Sequence, residues 1–308
     1  MSGWSDAWRR ARRAIKSRMP YVRRREYRLL RARHDALIDA LIAHPRRAVE
    51  ASCRAVKPVA GTLTGEICLF ATHAAGSALK PHVVHHARSL AEAGFAVVLM
   101  VNADDEARNI APGTELLDEL AGAYVRDNVG FDFGAWGHGW ALGSGFSGAK
   151  RLLLVNDSII GPLDKERFGT LLGRIRGSSA DVVGLTENFV PHPHLQSFFL
   201  AFGPRALAAP VLRSVFDGMH ALPTKELVID AYESALTRQL VAAGLTATAL
   251  FPPLYDDPLS ADDTLRRWRE LLDAGFPFVK ASLLRAGPQA AGVRGLIPAA
   301  LMPPDGPA

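Results

Sequence analysis

From Glu66 onward the chain alternates short apolar runs with segments of helical periodicity, and this alternation restricts the fold more than any other feature. Ile67–Ala71, Val97–Asn102, Ala123–Arg126, Arg151–Val155, Val182–Leu185, Phe198–Phe202 and Thr246–Phe251 read as strands. Lys80–Gly94, Leu116–Ala121, Phe133–Leu142, Phe168–Ile175 and Pro223–Ala243 read as helices, the first ending at glycine, a usual helix stop. Strands apolar on both faces need cover on both. The pattern therefore predicts an α/β fold, with a mostly parallel central sheet and flanking helices. Right-handed crossovers in such a sheet bring strand ends of one polarity to a single crevice, where ligands bind. The polar clusters fall at those ends: Thr72-His73, Asn102-Ala103-Asp104, Asn128 to Asp132 and Asn156-Asp157-Ser158. That coincidence points to an enzyme.

A chain of 308 residues, 48% hydrophobic and 22% charged, has the size and composition for a large core and is not a disordered polymer. Its two cysteines, Cys53 and Cys68, exclude a disulfide scaffold and a multi-cysteine zinc module. The longest apolar run, Phe95 to Val101, has strand length, so no membrane span is expected. Charge between Trp4 and Arg13 stands where the apolar part of an export signal would begin, and a cytoplasmic location is expected.

The net charge of +5 is unevenly divided. Residues 1–35 hold twelve Lys and Arg against Asp6, Glu26 and Asp35, a balance of +9 that leaves −4 for the remainder. Residues 1–62 read as a basic helical arm. Trp4, Trp8, Ala11 and Ile15 share a helical stripe, Pro20 interrupts it, and a second helical pattern from Tyr21 to His44 stops at Pro45. Such an arm suits an anionic membrane surface, peripheral at the inner face of the plasma membrane, each arginine near the surface contributing about 1 kcal/mol. A solvated or protein-binding extension is the alternative. Nucleic acid is not expected as a partner, because the rest of the chain offers no second basic patch. Residues 63–255 read as the catalytic domain, 256–297 as a cap centred on Trp268, and 298–308 as a flexible tail rich in Pro and Gly.

Several familiar patterns fail. Gly143 to Lys150 resembles a phosphate loop, but its lysine is one place late and the segment precedes a strand when it should follow one. No Gly-x-Gly-x-x-Gly follows the first strand, and no Gly-x-Ser-x-Gly elbow supports a serine hydrolase. His82, His85 and His86 lie on a predicted helix without the Glu of a zinc-protease motif, so they read as surface or capping histidines.

Two segments carry the chemistry: Arg126 to Trp136, and Leu152 to Leu163. In the second, Asp157 sits just beyond a buried strand, where a carboxylate can hold a hard divalent cation that bridges to a diphosphate. Asn156 and Ser158 offer neutral oxygens to that cation or to a sugar. In the first, Gly130 permits close backbone approach and Asp132 opens a helix. Taken singly, Asp132 is equally an N-cap and Asp157 a turn former.

The motif Asn-x-Gly-x-Asp-Phe-Gly-x-Trp at Asn128–Trp136 is followed by Asn-Asp-Ser-x-x-Gly-Pro-Leu at Asn156–Leu163. Leu-Thr-Glu follows at Leu185–Glu187, and His-Leu-Gln-Ser-Phe-Phe at His194–Phe199. Together with Tyr232-Glu233 and Phe276 to Lys280, they resemble the rhamnan-synthesis F family of polysaccharide glycosyltransferases over residues 65–285. The resemblance implies a nucleotide-diphospho-sugar transferase fold of the GT-A type, with Asp157 in the place of the metal-binding acidic motif and Mg2+ or Mn2+ as cofactor. Here that motif reads Asn156-Asp157-Ser158, a departure from Asp-x-Asp. By the same analogy His73, Asn102, Asp104, Asn128, Gly130, Asp132, Asn156 and Ser158 bind the donor, a nucleotide sugar such as dTDP-rhamnose. Transfer needs a base for the acceptor hydroxyl. Glu187, Glu233 and Asp230 are the candidates, with Glu187 slightly ahead, and His194 and Gln196 are expected at the acceptor, a glycan or lipid-linked saccharide. The implied reaction is an inverting sugar transfer. The rival classes are a noncatalytic carbohydrate- or partner-binding protein on the same fold, and a phosphate-ester hydrolase.

Overall fold

Side chains alternate across a strand, so a covered sheet divides its apolar residues between two cores. The computed structural model describes residues 20–110, 112–143, 146, 148–190, 193–253, 263–285 and 290–302. In it, Cys68, Phe70, Leu153 and Val155 fall in one core and Ile67, Leu69, Leu152 and Leu154 in the other. The first core is covered by the helices Pro81–Glu92 and Lys165–Gly177. The second lies under Phe131–Leu142, Pro210–Asp217 and Ser234–Ala242. The molecule is a mixed α/β protein with helices on both faces of its sheet.

The strands are β1 (Cys53–Lys57), β2 (Gly65–Ala74), β3 (Ala96–Ala103), β4 (Gly122–Asp127), β5 (Ala149–Asn156) and β6 (Ile159–Ile160). They continue with β7 (Val182–Gly184), β8 (Glu187–Asn188), β9 (His194–Leu195), β10 (Phe199–Phe202), β11 (Ala247–Ala249) and β12 (Val279–Lys280). Eight form one sheet in the order β1-β4-β3-β2-β5-β10-β7-β11. β2, β3, β4, β5, β7 and β11 run one way, while β1 and β10 run against them. The first strand of the parallel set, β2, lies in the middle, and the chain crosses to opposite sides of it, through β3 and β5. That reversal opens a crevice between the ends of β2 and β5.

Three differences from the sequence expectation have plain causes. Residues 53–57, read as part of the arm, pair with β4 and extend the central sheet. The long predicted helix over 223–243 contains a π turn, Ile229–Glu233, between Lys225–Val228 and Ser234–Ala242. His82 and His86 are buried instead of superficial, since they share the inward face of Pro81–Glu92 with Val83, Ala87 and Leu90. The His86 ring is surrounded by Phe70, Phe168, Phe199 and Phe278, and burial lowers its pKa to about 3.

The helix Pro20–Ala43 docks through its second half, where Leu37, Ala40 and Leu41 meet the second core and Arg33 pairs with Asp230 at 2.6 Å. Leu29, Leu30, Ile38 and Ile42 remain exposed. The tryptophan stripe expected at 4–18 and the end of the expected tail, 303–308, lie outside the described residues. Trp268, Val279, Leu283, Leu284, Val293, Ile297 and Leu301 form a third cluster with Ile160, joined to the sheet domain through the β6–β12 pair. Among the described residues, no helix is long and apolar enough to cross a membrane.

Candidate functional site

Asp157 leaves β5 directly into the crevice. Its Oδ2 accepts hydrogen bonds from Thr72 Oγ1 at 2.7 Å, from the His73 backbone N–H at 3.2 Å and from Lys80 Nζ at 2.8 Å. Burial opposes its ionisation, but the Lys80 ammonium and these hydrogen bonds hold its pKa below the ordinary value. The expected turn is present on its two sides. Asn156 Oδ1 accepts from the Ser158 N–H at 3.1 Å and from Ser158 Oγ at 2.7 Å, and Asn156 Nδ2 donates to Asp132 Oδ2 at 2.7 Å. Asn156 and Asp132 meet on the face covered by Phe131–Leu142, Asp157 turns to the face covered by Pro81–Glu92, and the three come together at one edge of the sheet, at the crevice.

Asp132 lies in the first turn of Phe131–Leu142, behind Gly130. Gly130 adopts φ 73°, and a Cβ there would lie 3.1 Å from the Cα of Gly134 and 3.3 Å from the Cα of Ala221. Only glycine satisfies both the left-handed backbone and this approach. Burial, with the charge of Asp157 adding to it, raises the Asp132 pKa to about 7, against the pull of Lys225 and the Asn156 hydrogen bond. A buried cation supports the same loop. Arg126 Nη1 donates to Asn102 Oδ1 at 2.5 Å and to Val129 O at 3.0 Å, and Nη2 to Ala48 O at 3.2 Å. Asn102 in turn donates to Phe131 O at 3.0 Å. Asn102 is thus 1% exposed and ties β3 to the helix, instead of facing the crevice.

Asp104, just beyond β3, accepts from Asn128 Nδ2 at 2.8 Å and meets His73 Nε2 at 2.9 Å. The Asn128 hydrogen bond, outweighing partial burial and reinforced by His73, lowers its pKa. His73, Asp104 and Asn128 form a hydrogen-bonded, partly exposed rim.

Beyond β10, β7 leads into the short β8–β9 pair. Glu187 starts β8 and pairs in register with Leu195, and burial raises its pKa to about 7. His194 and Gln196 are 3% and 6% exposed, and Gln196 Oε1 accepts from Thr186 Oγ1 at 2.6 Å. Both are packed within the hairpin that holds Glu187. Glu233, in the π turn, accepts from the Ser197 N–H at 3.0 Å, and its charge helps raise the Asp132 pKa. Asp230 pairs with Arg33. Lys280 on β12 reaches Ser158 Oγ at 3.5 Å and covers the Phe198 ring at 4.1 Å. A separate cleft of about 450 Å³, lined by Arg167, Trp268 and Phe276 among others, shares none of these groups.

The turn does not fit the divalent cation expected at Asp157. Its Oδ2 already serves three donors, one of them a lysine ammonium, and among the described residues no group of three or more His, Cys, Asp or Glu side chains is placed to hold a metal. Lys80 itself was not singled out from the sequence. The available signal was its place at the start of a helix, where the dipole disfavours a cation unless an anion accompanies it.

Comparison with known proteins agrees with the motif resemblance. The family model described as rhamnan synthesis protein F matches residues 97–295, more than half of the chain. The virulence protein VirA of Vibrio anguillarum is 27% identical over 195 residues, covering 53% of this chain and 62% of its own. The protein y4gN of Sinorhizobium fredii is 31% identical over 155 residues, covering 48% of this chain and 39% of its own. The chain thus matches less than two thirds of the length of these relatives.

Proposed function

The chain belongs to the rhamnan synthesis protein F family, and on that premise we propose that it is a glycosyltransferase of polysaccharide synthesis, built as a GT-A-like nucleotide-diphospho-sugar transferase. The proposed reaction moves a sugar, L-rhamnose in the first instance, from a nucleotide-diphosphate donor such as dTDP-rhamnose to a cell-envelope glycan or lipid-linked acceptor, with inversion. The observation that carries the reading is the 2.7 Å bond from Asn156 to Asp132, which joins both motif segments at the crevice between β2 and β5. Nucleotides bind at such reversals in doubly wound sheets.

The donor rests on the rim of His73, Asp104 and Asn128, with its sugar towards Asp132, Asn156 and Ser158. Glu187 removes the acceptor proton; a carboxylate with a pKa of about 7 is poised for that task near neutral pH. Glu233 holds the Ser197 backbone and, through it, the acceptor wall. His194 and Gln196 position Glu187 through the hairpin. The helix Pro20–Ala43, with exposed Leu29, Leu30, Ile38 and Ile42 beside its arginines, supports attachment to an anionic membrane surface at the cytoplasmic face.

The test is a panel of nucleotide sugars measured by calorimetry, followed by transfer to lipid-linked saccharides. Binding of a nucleotide sugar with sugar release onto an acceptor is expected. Carbohydrate binding without nucleotide-sugar binding, or turnover, would leave the noncatalytic reading in its place.

A further inference from the structure

Lysines from two separate elements reach the Asn156-Asp157-Ser158 turn, and a third, Lys225, acts on neighbouring Asp132. Lys80 lies 2.8 Å from Asp157, Lys280 lies 3.5 Å from Ser158, and Lys225 pulls down the pKa of Asp132. Lys80 is the most constrained. It caps the twelve-residue helix Pro81–Glu92 at its positive end, an unfavourable place for a cation. Its side chain is 36% exposed against 14% for Asp157, so the ammonium is anchored on a buried carboxylate while the side chain stays partly open to solvent. One of its three protons satisfies Asp157, leaving donors for an anion.

We propose that Lys80, held by Asp157, binds the diphosphate of the nucleotide sugar where a divalent cation was expected, with Lys280 as a second ammonium beside it. This assignment rests on the transferase reading. In the transfer, the bond from the sugar C1 to the β-phosphate oxygen breaks and its electron pair stays on that oxygen. The acceptor oxygen bonds to C1, and its proton goes to Glu187. Lys80 donates a charge-assisted hydrogen bond to the phosphate as negative charge accumulates there, and Asp157 fixes the ammonium before the reaction begins. Donor and alcohol become glycoside and nucleoside diphosphate, with the proton held by the base. No other reagent is consumed.

Calorimetry of the full chain with dTDP, UDP, GDP and inorganic pyrophosphate, in EDTA and then in Mg2+ or Mn2+, tests the assignment. At least one nucleoside diphosphate and pyrophosphate should bind in EDTA within about threefold of their affinity with metal. Lys80→Met should weaken binding by about tenfold or more, and Lys80→Arg should restore most of it. Lys280→Met, on another element, should cause a smaller loss and keeps the idea testable should Lys80→Met fold poorly by thermal melting. Binding that appears only with the metal, or is unchanged in Lys80→Met, overturns the lysine assignment and leaves the transferase intact. Failure of every probe under both conditions overturns both.

Discussion

Replacing Glu187 with Gln should stabilise the protein at alkaline pH while disabling it. Burial raises this carboxyl from 4.5 to about 7, so the folded state holds its proton more tightly than the unfolded chain does. The associated stability is fully present below about pH 4.5 and is lost as pH rises through about 7, because ionisation is then easier in the unfolded chain. The full rise corresponds to about 3 kcal/mol, and discounting for the residue's partial exposure leaves about 1–2 kcal/mol. For a chain of this size that is a Tm higher by roughly 1–4 °C in Glu187→Gln at pH 8, vanishing at about pH 4.5. Differential scanning of both proteins across this range needs no substrate. Transfer rates complete the test: wild-type kcat/KM should rise about tenfold from pH 6 to pH 8 as the base ionises, and the variant should lose roughly 100-fold or more at pH 8. A variant melting with the wild type at every pH would show that the carboxyl is not held in an unfavourable environment. Near-normal turnover would remove it as the base.

Three further outcomes are expected. Asp157→Asn should lower kcat/KM by about 10- to 100-fold in a protein that still folds cooperatively, since the ammonium of Lys80 loses its anchor; unchanged kinetics would discard that role. Gly130→Ala should cost about 1–3 kcal/mol in urea unfolding, from the left-handed backbone and the contacts with Gly134 and Ala221, and a loss below about 0.5 kcal/mol would contradict the tight approach. The full chain should sediment with anionic but not neutral vesicles, less so in high salt, and replacing Leu29, Leu30, Ile38 and Ile42 together with Gln should weaken this; equal binding to neutral vesicles would refute the electrostatic part.

The sheet was legible because its central strands are apolar on both faces: Leu152 to Val155 has no polar residue to offer solvent and ends in three that must be placed somewhere. The same logic located Asp157 and Asp132. It misplaced His82 and His86, because histidine was weighed by its polarity when its spacing with Val83, Ala87 and Leu90 put it on the buried face. Asn102 was legible as a strand-end polar residue, but its partner was not: Arg126, 1% exposed, reads in sequence like any surface arginine. The β8–β9 and β6–β12 pairs are two residues long in each strand, too short for any periodicity to register.

β10 runs against its neighbours, so its beginning, at Phe199, lies beside the end of β5 at Val155. The proposed donor side is assembled where the chain departs from β2, β3, β4 and β5, whereas residues 194–198 arrive at the same edge on their way in. Lengthening or rewriting the stretch between β8 and β9 would change the surroundings of Glu187 while leaving the proposed nucleotide seat at the ends of β2 to β5 untouched. On the proposed transferase reading, such an arrangement would let the acceptor side vary while the grip on the donor sugar is kept.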